Sequence, residues 1–273
     1  YWHDIEGYSD NNLTTFVRSL NLDILIDLSG YTQGNRHEIL VKRSARIQML
    51  WLGYNNSLGL KNLDYLIADK NLIKSDELSM YNEKILYLPK IWNALSPSEN
   101  YPDISLEAKE NNSNFTFCSF NNFQKISDRT IKVWSEILKH DDSVILLKDS
   151  LAGGDDLKNN ILNKFNDNGV DKEKIILLNR EKKIIDHLKL YNKANVALDT
   201  FPYPGVTTSY EAIVMGLPVL TMKGFNFNSR CGESINKNIG LNDLIAENDE
   251  DYIKKANALK LEKNLSLKYG LSL

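Results

Sequence analysis

Residues 199–211, Asp-Thr-Phe-Pro-Tyr-Pro-Gly-Val-Thr-Thr-Ser-Tyr-Glu, carry an acid, a Pro/Gly loop, two threonines and a second acid in one run. The apolar segment Ala194 to Leu198 before them has the length and content of a buried strand, and Tyr210 to Met215 after them reads helical. The loop therefore delivers Thr207 and Thr208 to a helix N-terminus. Unpaired backbone N–H groups and the positive end of the helix dipole favour an anion there, and threonine hydroxyls add donors. Glu211 follows Thr207 by four residues and shares its face. A carboxylate in that place can accept from ribose hydroxyls, as acids do in dinucleotide folds. A nucleotide diphosphate satisfies all three groups. The plainer alternative makes Thr207 or Thr208 an N-cap and Glu211 an exposed helix residue.

Such a loop works only if a sheet holds it. From Asn114 the chain alternates expected strands (115–120, 143–148, 175–178, 195–199, 218–222) with expected helices (128–139, 157–166, 184–193, 207–215, 229–238, 251–259). This alternation implies a parallel sheet covered by helices on both faces, with ligands at the carboxyl ends of its strands. The first third offers strands at 24–28, 47–54, 63–68 and 85–88, read as one α/β lobe. The expected division is a lobe over 1–95, a Pro- and Ser-bearing linker over 96–113, and a nucleotide-binding lobe over 114–273.

Other strand-end loops offer further chemistry. Lys125, in Phe120-Asn121-Asn122-Phe123-Gln124-Lys125, can neutralise a diphosphate as a point charge, or can be an ordinary exposed loop lysine. His187 follows the loop Asn179 to Lys183 and can stack on a base or donate to it, or can lie on the surface. In the first lobe, Asp27 to Arg36 and Trp51 to Asn56 are glycine-bearing turns that let backbone approach a ligand closely. Asp249-Glu250-Asp251 has the form of a metal-binding Asp-x-Asp pair, yet it opens a late helix, where acids serve as caps. His3, His37 and His140 lack metal spacing, so no metal is expected.

Composition narrows the class. A net charge of -3 without a basic cluster gives no footprint for nucleic acid. No apolar run approaches the roughly 18 residues that cross a bilayer, and no leader precedes the first strands. Cys118 and Cys231 have no CxxC partner and suit a reducing compartment, so the expected location is cytoplasmic. The chain opens on Tyr1 and ends in a charged helix-like stretch, as a piece of a longer protein would.

These segments together resemble the catalytic region of the O-linked N-acetylglucosamine transferase family, including SPINDLY-like bacterial members with tetratricopeptide repeats upstream. The matching segments are Asp23 to Thr32, Gln48 to Tyr54, Asp64-Tyr65, Tyr81 to Pro89, Phe120 to Ile126, Leu198 to Tyr203, Thr207-Thr208, Glu211-Ala212 and Met215 to Val219. They occur in one order over roughly residues 20 to 260. The resemblance implies a GT-B fold, with two Rossmann-like lobes, a cleft between them and an N-terminal lobe that is incomplete here. It implies an inverting, metal-independent transferase that moves N-acetylglucosamine from a UDP donor to Ser or Thr of a protein acceptor. In the matched positions Lys125 would bear on the diphosphate, with Asn122 beside it. Thr207 and Thr208 would donate to the phosphates, Glu211 would hold the ribose and His187 would lie against the uracil. Leu52 and Gly53 would border the sugar from the other lobe. Better-known members carry Gln, Lys, His and Asp where Asn122, Ile184, Val206 and Glu211 stand. Two alternatives follow: another donor or acceptor, such as GDP-fucose or a glycan, and a degenerate domain of a repeat-containing scaffold.

Overall fold

A computed structural model describes residues 1–54, 56–95, 101–105, 114–148 and 155–261. The chain divides into two units, Tyr1–Ala94 with Asn226–Asn228, and Leu95–Phe225 with Ser229–Leu273. Most of the linker expected at 96–113 lies outside the described residues. Its described part, 101–105, packs on the second unit, where Asn192 accepts from the Ser105 N–H at 3.1 Å and donates to the Asp103 carbonyl at 3.0 Å.

In the first unit, helix α1 (Asp10–Ser19) is opened by Ser9, whose hydroxyl accepts from the Asn12 N–H, with Asp10 complementing the dipole in the first turn. Strands β1 (Ile24–Asp27), β2 (Ile47–Leu50), β3 (Tyr65–Ala68) and β4 (Lys84–Tyr87) form a parallel sheet in sequence order, with the short helix α2 (His37–Val41) between β1 and β2. The expected strands were longer by up to four residues. Beyond Leu50 the chain turns at Leu52, whose φ of 68° no strand tolerates. Helix α1 was not expected. Its buried stripe of Leu13, Thr14 and Val17 is short and includes a polar residue, so its periodicity is weak in the sequence.

The second unit carries six parallel strands: β5 (Thr116–Ser119), β6 (Val144–Lys148), β7 (Ile175–Leu178), β8 (Val196–Leu198), β9 (Val219–Met222) and β10 (Ile245–Ala246). Their order is β10-β9-β8-β5-β6-β7. The helices are α3 (Asp128–Leu138), α4 (Asp155–Asp167), α5 (Ile184–Lys189), α6 (Thr207–Val214), α7 (Cys231–Asn238) and α8 (Asp249–Leu261). Alternate strand residues serve opposite faces. Phe117 packs with Trp134, Phe165 and Tyr252 on one side, while Cys118 packs with Leu188, Tyr191 and Ala212 on the other. Both faces are covered, which is why these strands read as continuous apolar runs.

Strand β5 has β6 on one side and β8 on the other. From β5 the chain proceeds outward through β6 and β7, then returns to build β8, β9 and β10 on the opposite flank. The loops after β5 and β8 therefore diverge, and the gap between them is the topological switch point where open α/β sheets bind ligands.

Candidate functional site

The loop after β8 is built around Asp199. Its carboxylate is buried and accepts from the N–H of Gly205 at 2.6 Å, the N–H of Thr200 at 3.0 Å and the Thr221 hydroxyl at 2.9 Å. Removal from water is the largest influence on this carboxyl and pushes its pKa up to about 6, against the hydrogen bonds that favour its charge. The Phe201 carbonyl accepts from the hydroxyls of Ser127 and Thr130 at the start of α3, which anchors the loop's far side. Gly205 is required by space: a Cβ there would stand 2.4 Å from Thr208 Oγ1 and 2.7 Å from Ser209 Oγ.

Helix α6 starts with Val206 in the N-cap position, and no side chain caps it. Neither threonine is the cap. Thr208 turns its hydroxyl to Asn121 Oδ1 at 2.9 Å, joining the loop after β8 to the loop after β5. Thr207 is exposed at the helix start, and its hydroxyl has no partner among the described residues. The first turn of α6 thus faces outward with backbone donors that no carboxylate or hydroxyl among the described residues covers, the arrangement that attracts an anion.

Beside this terminus lies a cavity of about 410 Å³, lined among others by Thr207, Thr208, Glu211, His187 and Ile184. His187 is no surface residue: its side chain is 13% exposed, and its Nε2 lies 3.0 Å from Glu211 Oε2. Its ring packs against Phe120 and Tyr191, with centroids 5.8 and 5.6 Å away. Arg180, Lys182 and Lys183 from the loop after β7 add positive charge to the lining.

Lys125 stands outside that lining. Its ammonium donates to the Pro204 carbonyl at 3.0 Å and sits 4.4 Å from the centre of the Tyr203 ring. Burial, the largest influence, lowers its pKa, while the nearby Asp199 and Cys231 act the other way. Asn122 caps a single 3₁₀ turn, its Oδ1 accepting from the Gln124 N–H at 2.9 Å, and it is Asn121 that reaches Thr208. Leu52 and Gly53 belong to the first unit, where Gly53 packs on Ser29 so closely that a Cβ would meet its carbonyl at 2.3 Å. The structure therefore brings Thr207, Thr208, Glu211 and His187 to one cavity and Lys125 to the adjoining loop.

Three participants were missed in the sequence: Lys148, Tyr191 and Asn121. Lys148 closes the apolar run Val144 to Leu147, and a charge at the carboxyl end of a buried parallel strand is the signal that could have found it. The run Asp249 to Asp251 opens α8 as expected, but the side chain that caps it is Asn248 rather than one of the acids. Asn248 Oδ1 accepts from the Asp251 N–H, Asp251 accepts from the Glu247 N–H, and Asp249 pairs with Arg129. Among the described residues no group of three His, Cys, Asp or Glu side chains is placed to hold a metal ion, and no helix is long and apolar enough to cross a membrane.

The sequence profile described as glycosyl transferase family 41 matches residues 11–108 and 109–269. The SPINDLY protein of Eustoma exaltatum subsp. russellianum, described as a probable UDP-N-acetylglucosamine–peptide N-acetylglucosaminyltransferase, is 32% identical over 256 residues, covering 93% of this chain and 28% of that protein. The chain thus spans little more than a quarter of the length of such relatives. A solved mutant of Thermobaculum terrenum O-GlcNAc transferase is 28% identical with a TM-score of 0.93, over 99% of this chain and 51% of that one. HepE from Anabaena, solved with UDP and glucose, shares the fold at a TM-score of 0.58 and 15% identity, over 96% of this chain and 74% of that one. The α/β architecture is that of GT-B glycosyltransferases. Profile, relatives and fold agree with the resemblance carried by the loop motifs, and the chain belongs to glycosyl transferase family 41.

Proposed function

We propose that this chain is the donor-binding catalytic region of a glycosyltransferase that moves N-acetylglucosamine from a UDP donor to a Ser or Thr hydroxyl of a protein, with inversion and without a metal ion. The observation that carries the reading is the uncapped start of α6 at the switch point, next to a cavity holding the His187–Glu211 pair. The diphosphate lies on the first turn of α6 with Thr207, and Lys125 meets the charge that grows on it as the bond to the anomeric carbon breaks. Glu211 takes the ribose hydroxyls, and His187 flanks the base. Oxygen of the acceptor hydroxyl forms the new bond, and its proton leaves to solvent or base. Cys118 and Cys231 are buried and not joined in a disulfide, which supports a reducing, cytoplasmic setting.

Calorimetric titration of UDP into the purified chain, with EDTA present and GDP as comparator, tests this reading without an acceptor. UDP-selective binding in EDTA supports a metal-free sugar-nucleotide site. Preference for GDP moves the reading to a different donor. A folded chain that binds neither supports the scaffold reading, which Ile184, 61% exposed, and Val206 favour by standing apolar where better-known members carry Lys and His.

A further inference from the structure

Lys148 ends β6 and lines the cavity wall, yet the residue is only 4% exposed. A buried ammonium needs an acceptor. Its Nζ lies 2.8 Å from Nδ1 of His187 and 5.7 Å from the centre of the Phe120 ring. Ammonium hydrogens can only donate, so Nδ1 accepts with its lone pair and the ring proton sits on Nε2. Every other protonation form of the ring sets an N–H against the ammonium. The Nδ1–H form would in addition turn a nitrogen lone pair toward the Glu211 carboxylate. With the proton on Nε2, the ring donates to Glu211 Oε2 at 3.0 Å, and the Tyr191 hydroxyl donates to the same oxygen at 3.3 Å. Two donors converge on Oε2, and Oε1 takes no hydrogen bond from any described residue.

From this chain of contacts we infer that Lys148 is a positioning residue for the nucleoside end of the site: it fixes the His187 tautomer, and His187 in turn holds Glu211 with Oε1 left for a ligand hydroxyl. The ligand half of this statement rests on the nucleotide reading above, whereas the tautomer half rests on geometry alone. Lys148 acts at one remove, through an imidazole that would otherwise be free to exchange its proton between nitrogens. Arginine at this position keeps a donor, and methionine keeps the length while removing the donor.

Nitrogen-15 spectra of the histidine ring, recorded on the 273-residue chain, separate the two ring nitrogens by protonation. The wild type is expected to hold His187 as a single Nε2–H form, Lys148→Met to show a mixture, and Lys148→Arg to return the wild-type pattern. UDP affinity is expected to fall about tenfold in Lys148→Met and to recover in Lys148→Arg. If Lys148→Met does not fold, Lys148→Leu, which also lacks a donor, carries the same comparison. A wild-type ring protonated on Nδ1, or a ring that keeps one Nε2–H form without Lys148, overturns the inference. A folded wild type that fails to bind UDP removes the nucleotide reading, while the tautomer comparison still decides whether Lys148 sets the ring.

Discussion

The Asp199 carboxylate holds the Gly205 N–H at 2.6 Å, so a buried charge fixes the one glycine over which α6 approaches the loop after β5. The carboxyl's pKa of about 6 lies above its ordinary 3.8, because burial disfavours the charged form. Between those values the folded state holds a proton that the unfolded state releases. This contribution is therefore full below about pH 4, is lost as pH rises through about 6, and is flat above. Its size is up to about 3 kcal/mol. Asp199→Asn should remove that slope, which urea unfolding of both proteins from pH 4.5 to 7.5 would measure. Parallel curves for the two would contradict the assignment.

Lys125→Ala should weaken UDP binding about 10- to 100-fold, the range of a lost charge-assisted bond. Among the described residues its amine bonds the Pro204 carbonyl and packs on the Tyr203 ring, with Asp199 near enough to act on its charge, so the melting temperature should fall only modestly. Calorimetry and a thermal melt on the same sample give both values, and undiminished affinity would remove Lys125 from the diphosphate.

Gly205→Ala places a methyl 2.4 Å from Thr208 Oγ1 and 2.7 Å from Ser209 Oγ. Overpacking of this kind costs about 1–3 kcal/mol. The side chains that must give way belong to the first turn of α6, so UDP binding should suffer more than stability. Equal affinity in the variant would show that the ligand does not use that turn.

Tyr191→Phe keeps the buried ring and removes a hydroxyl that donates to Glu211 Oε2 at 3.3 Å and lies 3.2 Å from the Thr208 carbonyl. Stability should drop by about 1 kcal/mol. UDP affinity should fall several-fold, because Glu211 keeps only His187 on that oxygen. An affinity change as large as that of Glu211→Ala would mean that Tyr191 touches the ligand itself.

The strands of the second unit were legible because parallel strands covered on both faces are apolar throughout, as in Ile145 to Leu147. The ends were not. The two-residue β10 carries no pattern of its own and exists because Ile245 and Ala246 lie beside Thr221 and Met222. Within the site, Thr207 and Glu211 could be linked by helical spacing alone. The partners of His187 could not: Lys148 is 39 residues away, Glu211 is 24, and no local rule joins them. The exchange of cap for bridge at Thr208 has the same origin. Its acceptor is Asn121, 87 residues upstream, and only the adjacency of β5 and β8 brings the two together.

That adjacency also sets a schedule. On β5, Phe117 pairs with Val196, so one flank of the strand waits about 80 residues for its neighbour. At ribosomal speeds this is roughly 4 to 16 s. During that interval β5, β6 and β7 can pair while the apolar edge that β8 will cover stays open to solvent and to other chains. The cavity beside α6 thus cannot form until β8 and α6 have emerged, and a chain halted before β8 leaves the ribosome with a sticky edge and without that cavity.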